Sequence, residues 1–491
     1  MRSIAFGTLG CKLNQYEADS LAAQFAREGY RVVDFSQPAD CYIINTCTVT
    51  NKADRKSRNT INKAVRMAGL PEADVPPAAV PGGIPAAMPA ANAEAPGAIT
   101  VITGCFVDSH REELERSERL TYVVENVRKA HIFDLVHGHF QGEIVHPQSL
   151  PENLFSYEVA DRTQHTRALV KVQDGCDNFC TFCIIPFVRG RGTSRPLDDI
   201  LADVRTMVDS GYREIVLTGV NMSRYDHDGK GFADVVEAIL ETPGDFRVRI
   251  SSLEPDQLDE RFLAILGHAK MCPHLHLCLQ SGSERVLLQM RRMYSYDEFR
   301  SIAEELRRRY PGFNLTTDII VGFPGESEED FTASCKAVRE VGFGHVHLFP
   351  YSVRQGTRAE RMPGHLKSQE KKRRIALLQE LAATEKQRYR ESLIGTIQTV
   401  LVEKVFADGT AQGYGQHYCP VRFALPAGRE VAAGTETASP HPAGPHPAVP
   451  HPAVNEFFPV KVTGLCDGSD DGSEGPLLTG SLTHHLVAGE C

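Results

Sequence analysis

"DGCDNFCTFCIIP", residues 174–186, sets Cys176, Cys180 and Cys183 in the spacing C-x-x-x-C-x-x-C. Thiols this close would be zinc ligands, disulfide partners, a redox pair or three corners of an iron–sulfur cluster. A structural zinc site takes four protein ligands, and no fourth Cys or His stands at a suitable distance nearby. A two-cysteine redox motif leaves Cys176 without a role. A [4Fe–4S] cubane held by three thiolates uses all three and leaves one iron open to a substrate or cofactor. The bland alternative is a zinc loop or three reduced thiols.

The surroundings of that loop give the architecture. It follows the apolar run "ALVKVQ" (168–173), and five more such runs come after it: "EIVLTG", "RVRISS", "HLHLCLQ", "LTTDIIVG" and "HVHLFPYS". Helical stretches such as "LDDILADVRTMVDSG" separate them. Six strand–helix units over residues 162–392 predict a partial (β/α) barrel, with its chemistry at the C-terminal strand ends. Upstream, residues 1–140 alternate "SIAFGTLG", a helix ending at Gly29, "CYIINTC" and "AITVITGC", which predicts a three-layer parallel-sheet domain. Residues 141–165 read as a connector. Downstream of a basic helical segment (366–392), residues 393–491 contain "TIQTVLVEKV", "CPVRFAL", "FFPVKVTGL" and "LLTGSLT", the pattern of a small all-β barrel. Two segments, 71–97 (Pro, Ala and Gly) and 426–455 (repeated Pro-His), are expected to be flexible insertions, because neither carries enough apolar surface to offset the entropy of ordering.

The chain has 491 residues, 42% hydrophobic and 24% charged, with a net charge of −10. Nucleic acid would therefore bind only through a local basic face. No run of eighteen apolar residues is present, so no membrane-spanning helix is expected, and the N-terminus reads as a strand rather than a signal peptide. Thirteen cysteines without a secretion signal point to the cytoplasm and to metal or redox chemistry rather than disulfides.

Three of these cysteines follow short strands, each preceded by a small residue: Cys11 in "TLGC", Cys47 in "INTC" and Cys105 in "VITGC". In a parallel sheet the C-terminal strand ends share one edge. Three thiols remote in sequence would converge there and hold a second cluster. The alternative is three unrelated buried cysteines, since Cys often packs as a small hydrophobe. Cys272, Cys278, Cys335, Cys419, Cys466 and Cys491 show no pattern and are read as structural or free.

The triplet, with Phe182 just before its last cysteine, resembles radical S-adenosylmethionine (SAM) enzymes. A domain with three dispersed cysteines, then such a barrel, then a small β-barrel is similar to the methylthiotransferases. "GCKLNQYE" and "NTCTVTNKADRKSRN" resemble the group that modifies threonylcarbamoyladenosine in tRNA, and "CIIPFVRGRGTSR", "SSLEP", "CLQSGSERVLLQMRR" and "DIIVGFPGE" fit the wider family. The insertion before Cys105 is a departure that lengthens the Cys47–Cys105 spacing.

The resemblance implies two [4Fe–4S] clusters, ligated by Cys176, Cys180 and Cys183 and by Cys11, Cys47 and Cys105, and SAM as cosubstrate. It implies methylthiolation of carbon 2 of the modified adenosine at position 37, beside the anticodon. Close alternatives are an isopentenyladenosine tRNA methylthiotransferase and a ribosomal-protein aspartate methylthiotransferase; a non-enzymatic iron–sulfur RNA-binding protein is the alternative of another class. Strand-end candidates for SAM contacts are Thr218, Gly219, Glu254, Gln280, Ser281, Asp318, Phe349 and Pro350. Local basic runs offer phosphate contacts at Arg189, Arg191, Arg195, Arg291, Arg292, Lys371, Lys372, Arg373 and Arg374, although such runs are usually solvated faces. The terminal barrel resembles the TRAM domain, an RNA-binding module. The partners expected are the tRNA anticodon loop and an electron donor such as flavodoxin or ferredoxin, with the protein a monomer.

Overall fold

Alternation along the strands sets the layers of the N-terminal region. In a computed structural model of the chain, residues 1–69, 98–143, 145–160, 165–426, 453–466 and 476–483 are described. Strands β1 (Ser3–Thr8), β2 (Arg31–Val33), β3 (Cys41–Thr46), β4 (Ile99–Gly104) and β5 (Tyr122–Val124) form one parallel sheet in the order β2-β1-β3-β4-β5. Cys41 and Ile43 face helices α1 (Lys12–Arg27) and α4 (Ile132–Gln141), packing with Tyr16, Leu21, Phe25 and Ile132. Tyr42 and Ile44 face α2 (Asn51–Met67) and α3 (Cys105–Glu115), packing with Ile61, Ala64, Val65 and Phe106. The period of two in a strand puts adjacent residues on opposite faces, so one short apolar run feeds two cores. This is the expected three-layer arrangement.

The strand order reverses between β1 and β3, and in open α/β sheets ligands bind at such switch points, at the C-terminal strand ends. Cys11, Cys47 and Cys105 all lie there, directly after β1, β3 and β4.

The central region follows the predicted strand–helix alternation. Strands β6 (Ala168–Lys171), β7 (Glu214–Thr218) and β8 (Arg247–Ile250) pair in parallel, as do β9 (His274–His276), β10 (Asn314–Val321) and β11 (His345–Pro350). Parallel bridges Val248–Met271 and Leu253–Leu277 join the two sets into one six-stranded partial barrel. Its outer residues (Val248, Ile250, Leu275, Leu277, Ile319) pack on the helices as a continuous core. The alternating residues that face inward are polar: Arg247 and Arg249, His274 and His276, Thr316 and Asp318. A (β/α) barrel normally fills its interior with branched apolar side chains. This lumen is built to hold polar groups.

The N-terminal domain docks on both edges of the open barrel. On the β6 side Lys171 reaches Glu17 of α1 at 3.2 Å. On the β11 side Arg354 donates to Thr48 O at 2.9 Å and pairs with Asp54 of α2 at 2.7 Å, and Asn51 N donates to Ser352 Oγ at 2.9 Å.

The last five strands, β12 (Ile397–Val405), β13 (Thr410–Tyr414), β14 (Pro420–Ala424), β15 (Phe457–Cys466) and β16 (Leu477–Leu482), close into a barrel of order β12-β13-β14-β16-β15. It sits under the N-terminal ends of the large barrel's strands. Arg247 donates to Thr399 O at 2.7 Å and to Tyr414 O at 2.9 Å, and Asn314 donates to His417 O at 2.7 Å. Tyr418, in the β13–β14 turn, packs against His274 with ring centroids 4.9 Å apart and the planes tilted by 45°. Segment 71–97 lies outside the described residues, as does 427–452 of the second predicted insertion. Ala453 and Val454, assigned by composition to that insertion, belong to the small barrel's core, where Ala453 is fully buried.

Candidate functional site: two cysteine trios at facing strand ends

The first trio stands in the loop after β6. Cys183 N donates to Cys180 O at 3.0 Å and Cys176 N to Gly190 O at 3.1 Å, which folds the loop back on itself. Donors surround the sulfurs. Arg292 Nη1 lies 3.1 Å from Cys180 Sγ, Asn221 Nδ2 3.6 Å and Asn178 N 3.5 Å from Cys176 Sγ. Burial pushes the Cys183 thiol up to about 12, and the neighbouring Cys180 and Cys176 add to the rise.

The second trio forms where three loops meet. Gly10 and Gly104, each just before a cysteine, have φ of +106° and +99°. A Cβ on Gly10 would stand 2.9 Å from Cys47 Cβ, and one on Gly104 would stand 2.4 Å from Thr46 O. Only glycine permits both the backbone and the approach. The thiols sense one another: burial pushes Cys47 up to about 11, with Cys105 and Cys11 raising it further. Burial also raises Cys105, Arg189 and Lys129 pull it down, and Cys11 raises it.

Arg189 joins the two trios. It lies six residues beyond Cys183 in sequence and is 3% exposed. Its Nε donates to Cys105 Sγ at 3.3 Å, Nη2 to Asn14 Oδ1 at 2.6 Å, and Nη1 to Asp174 at 2.9 Å and Glu17 at 3.1 Å. Lys129 and Lys171 complete the cluster, with Lys171 2.7 Å from Asp174. Burial alone would raise the Glu17 carboxyl, but Arg189, Lys129 and Lys171 outweigh it and hold it well below the usual range. The cluster sets two carboxylates against three cations. A buried charge without compensation is costly, and the excess cation donates to a cysteine sulfur. An anionic thiolate-ligated group beside Cys105 is what this environment fits, and N–H donors aimed at sulfur are the outer shell that iron–sulfur ligands use. All twelve described cysteines are free.

The predicted SAM-contact residues lie around the barrel rim. Thr218 is buried at the end of β7, and a Cβ on Gly219 would meet Met222 Cγ at 2.7 Å. Glu254 forms an ion pair with Arg292, which also touches Cys180. Gln280 has φ of +68°, and its backbone bridges Asp318 O and Ile320 N. The Ser281 hydroxyl is taken up within the fold, accepting from Ser283 N at 3.2 Å and meeting Ser334 Oγ at 3.4 Å. Asp318 lies 3.4 Å from His276 Nε2, and Phe349 is 39% exposed, followed by exposed Pro350. Sequence reasoning missed His276 and Cys278, which with Asp318 place three ligand-type atoms within 4.8 Å of one another. The signal was in "HLHLCLQ", where polar residues alternate with leucines.

Several predicted RNA-contact residues are corrected by their surroundings. Arg189 is the buried link just described. Arg195 is buried and paired with Asp203 at 2.6 Å, Arg374 is buried and paired with Glu326 at 2.6 Å, and Arg292 is buried against Cys180 and Glu254. None of these four presents a charge to solvent. Arg373 is neutralised by Glu328 and Glu370, Arg191 by Asp177, and Lys371 donates to Tyr351 O at 2.9 Å. Arg291 and Lys372 are exposed.

Residues 170–338 match the Radical SAM superfamily and residues 3–80 the uncharacterized protein family UPF0004. The chain is 35% identical over 439 residues to threonylcarbamoyladenosine tRNA methylthiotransferase MtaB of Bacillus subtilis, covering 86% of this chain and 90% of that one. To the protein of the same name from Thermotoga maritima it is 36% identical, covering 86% and 92%. Among solved structures, the radical SAM methyltransferase TsrM of Kitasatospora setae superposes with a TM-score of 0.53 at 13% identity, covering 73% of this chain and 77% of that one; this is a likeness of fold. Superfamily membership brings with it one [4Fe–4S] cluster and SAM. By its identity to these relatives over nearly its full length, the chain belongs to the radical SAM methylthiotransferases of the MtaB type.

Proposed function

We propose that this protein methylthiolates carbon 2 of N6-threonylcarbamoyladenosine at position 37 of tRNA, using clusters at both cysteine trios. The observation that carries the reading is Arg189. One loop supplies three cysteines at the barrel mouth and, six residues on, a guanidinium that touches Cys105 of the other trio. The proposed isopentenyladenosine and ribosomal-protein alternatives are not favoured by the relatives' names.

When bound, the cofactors supply a carbon radical from SAM, a sulfur atom at the second trio and a methyl group. The chain's residues hold and orient. Cys176, Cys180 and Cys183 would ligate the first cluster, with Arg292 donating to Cys180 and so stabilising thiolate charge. Cys11, Cys47 and Cys105 would ligate the second. Thr218, Gly219, Glu254, Gln280, Asp318 and Phe349 would line the rim that takes SAM; Asp318 would accept from hydroxyl or ammonium groups, and Phe349 would offer an apolar face to adenine. Lys12, beside Cys11, reaches Tyr418 of the small barrel, its Nζ 5.7 Å from the ring centroid, so a side chain next to the second trio ties the N-terminal domain to the small barrel. Electrons come from a flavodoxin- or ferredoxin-type donor, and the protein acts as a monomer.

Anaerobic protein should hold about eight irons per chain, four for each cubane. The Cys176/Cys180/Cys183→Ala variant should keep about four and lose 5′-deoxyadenosine formation. tRNA nucleosides from a deletion strain should lack the methylthio group on threonylcarbamoyladenosine. Iron near four in the unaltered protein, or unchanged nucleosides, would refute the reading.

A further inference from the structure

The basic residues that pair within the fold leave the phosphate contacts of a tRNA substrate to be found elsewhere. Helix α2 carries an exposed basic face. It begins three residues after Cys47, at the Thr50 N-cap, whose hydroxyl accepts from Ala53 N at 3.1 Å. Its buried face is Ser57, Ile61, Ala64 and Val65. The opposite face carries Lys52, Arg55, Lys56, Asn59 and Lys63, all exposed. These positions fall at i, i+3, i+4, i+7 and i+11, which at 100° per residue is one narrow stripe. At about 1.5 Å per residue the stripe runs about 17 Å.

Charge on this face is unbalanced. Among the described residues, no carboxylate pairs with Lys52, Arg55 or Lys56. The helix's acid, Asp54, is occupied by Arg354 and Thr48. The flank is polar: Asn51, Asp54, Arg55, Arg58, Asn59 and Asn62 line a depression of about 420 Å³. A cationic stripe on a chain of net charge −10 is what a local polyanion site requires. Its position is specific as well. The start of α2 touches the barrel rim through Asn51 N and Ser352 Oγ, and Cys47 lies just before it. The stripe therefore starts at the barrel rim, within a few residues of Cys47 of the second trio.

We infer that Lys52, Arg55, Lys56, Asn59 and Lys63 bind the sugar–phosphate backbone of the substrate RNA beside the nucleotide that enters between the trios. This rests on the tRNA substrate proposed above. Splaying one base out of an anticodon loop leaves its flanking phosphates at the entrance, and the stripe offers them point charges and one amide donor without reading sequence.

The test uses the full-length anaerobic protein and a synthetic anticodon stem–loop. The Lys52→Ala/Arg55→Ala/Lys56→Ala variant should bind at least about tenfold more weakly, and its plot of log affinity against log salt should be shallower by about 2, three lost single-strand contacts at about 0.7 each. Lys336→Ala, on the exposed face of the helix Glu328–Val341 and paired there with Glu340 at 3.3 Å, should leave both values unchanged. In the unaltered protein the stem–loop should protect Lys52 and Lys56, but not Lys336, from an amine-reactive label read by mass spectrometry. Unchanged affinity and slope in the triple variant, an equal loss with Lys336→Ala, or labelling of Lys52 and Lys56 that ignores the RNA would each overturn the inference. If the unaltered protein binds no stem–loop at all, the proposed tRNA activity fails instead.

Discussion

Cys176, Cys180 and Cys183 lie within eight residues of one loop, whereas positions 11, 47 and 105 are brought together by three separate strand ends of one sheet. The first trio depends on local loop geometry. The second depends on sheet order, on the close approach at Gly10 and Gly104, and on the docking of the barrel through Arg189. A local site survives small shifts of the surrounding domains. A dispersed site is only as ordered as the packing that assembles it, so the two should fail differently.

The largest difference is expected from single ligands. Cys47→Ala should remove about half of the iron and abolish methylthiolation while leaving reductive SAM cleavage at the first trio. Cys180→Ala should abolish both. Iron analysis with 5′-deoxyadenosine and nucleoside mass spectrometry separates the two, and loss of SAM cleavage in Cys47→Ala would mean that the trios are not independent.

Next comes the link. Arg189→Ala removes the guanidinium that donates to both Glu17 and Asp174 in a buried setting, where losing one partner of such a cluster costs about 3–5 kcal/mol. The denaturation midpoint should fall accordingly, and the second trio should lose iron before the first. Arg191→Ala, two residues beyond Arg189 and in an exposed pair with Asp177, should cost about 0–1 kcal/mol. Equal effects at the two positions would place the sensitivity in the loop backbone rather than in the buried guanidinium.

The difference also marks what sequence could and could not deliver. The local triplet announced itself by spacing, and the three layers followed from short apolar runs separated by helical ones. The dispersed trio was reachable because each cysteine follows a strand with a small residue before it, a pattern that becomes a site only once the strands are known to be parallel. The arginines were misread because a basic run does not show whether an acid remote in sequence meets it. Glu326 meets Arg374 from 48 positions away and Asp174 meets Arg189 from the strand end before its own loop. Likewise the polar lumen was visible as alternation in "HLHLCLQ", but which face of a barrel strand points inward is decided by where the helices pack. Four of the five stripe residues on α2 fall within "NTCTVTNKADRKSRN", where their helical spacing marks a face only once the buried side of the helix is known.

Acid should act on the link before it acts on the first trio. The Glu17 carboxyl is held below its ordinary value, so its contribution to stability is present above about pH 4.5 and is lost as pH falls through the folded-state value. Glu17's share of the contact between the N-terminal domain and the barrel should be flat from neutrality down to about pH 5 and weaken below it. Hydrogen exchange of the α1 and β6 amides as a function of pH reads this directly, and Glu17→Gln should remove the acid-dependent part. A loss centred near neutrality would assign the sensitivity to another group.

The smallest effect is expected from the long β3–β4 connection. The second trio needs β3 and β4 side by side, not a particular chain length between α2 and β4. Closure entropy changes only with the logarithm of loop length, so removing residues 72–96 should shift stability by about 1 kcal/mol, in the stabilising direction. Iron content and nucleoside modification should then match those of the full chain. A loss of the second cluster alone would mean that this segment contributes to the Cys47–Cys105 geometry, and that the dispersed trio depends on more than the sheet that carries it.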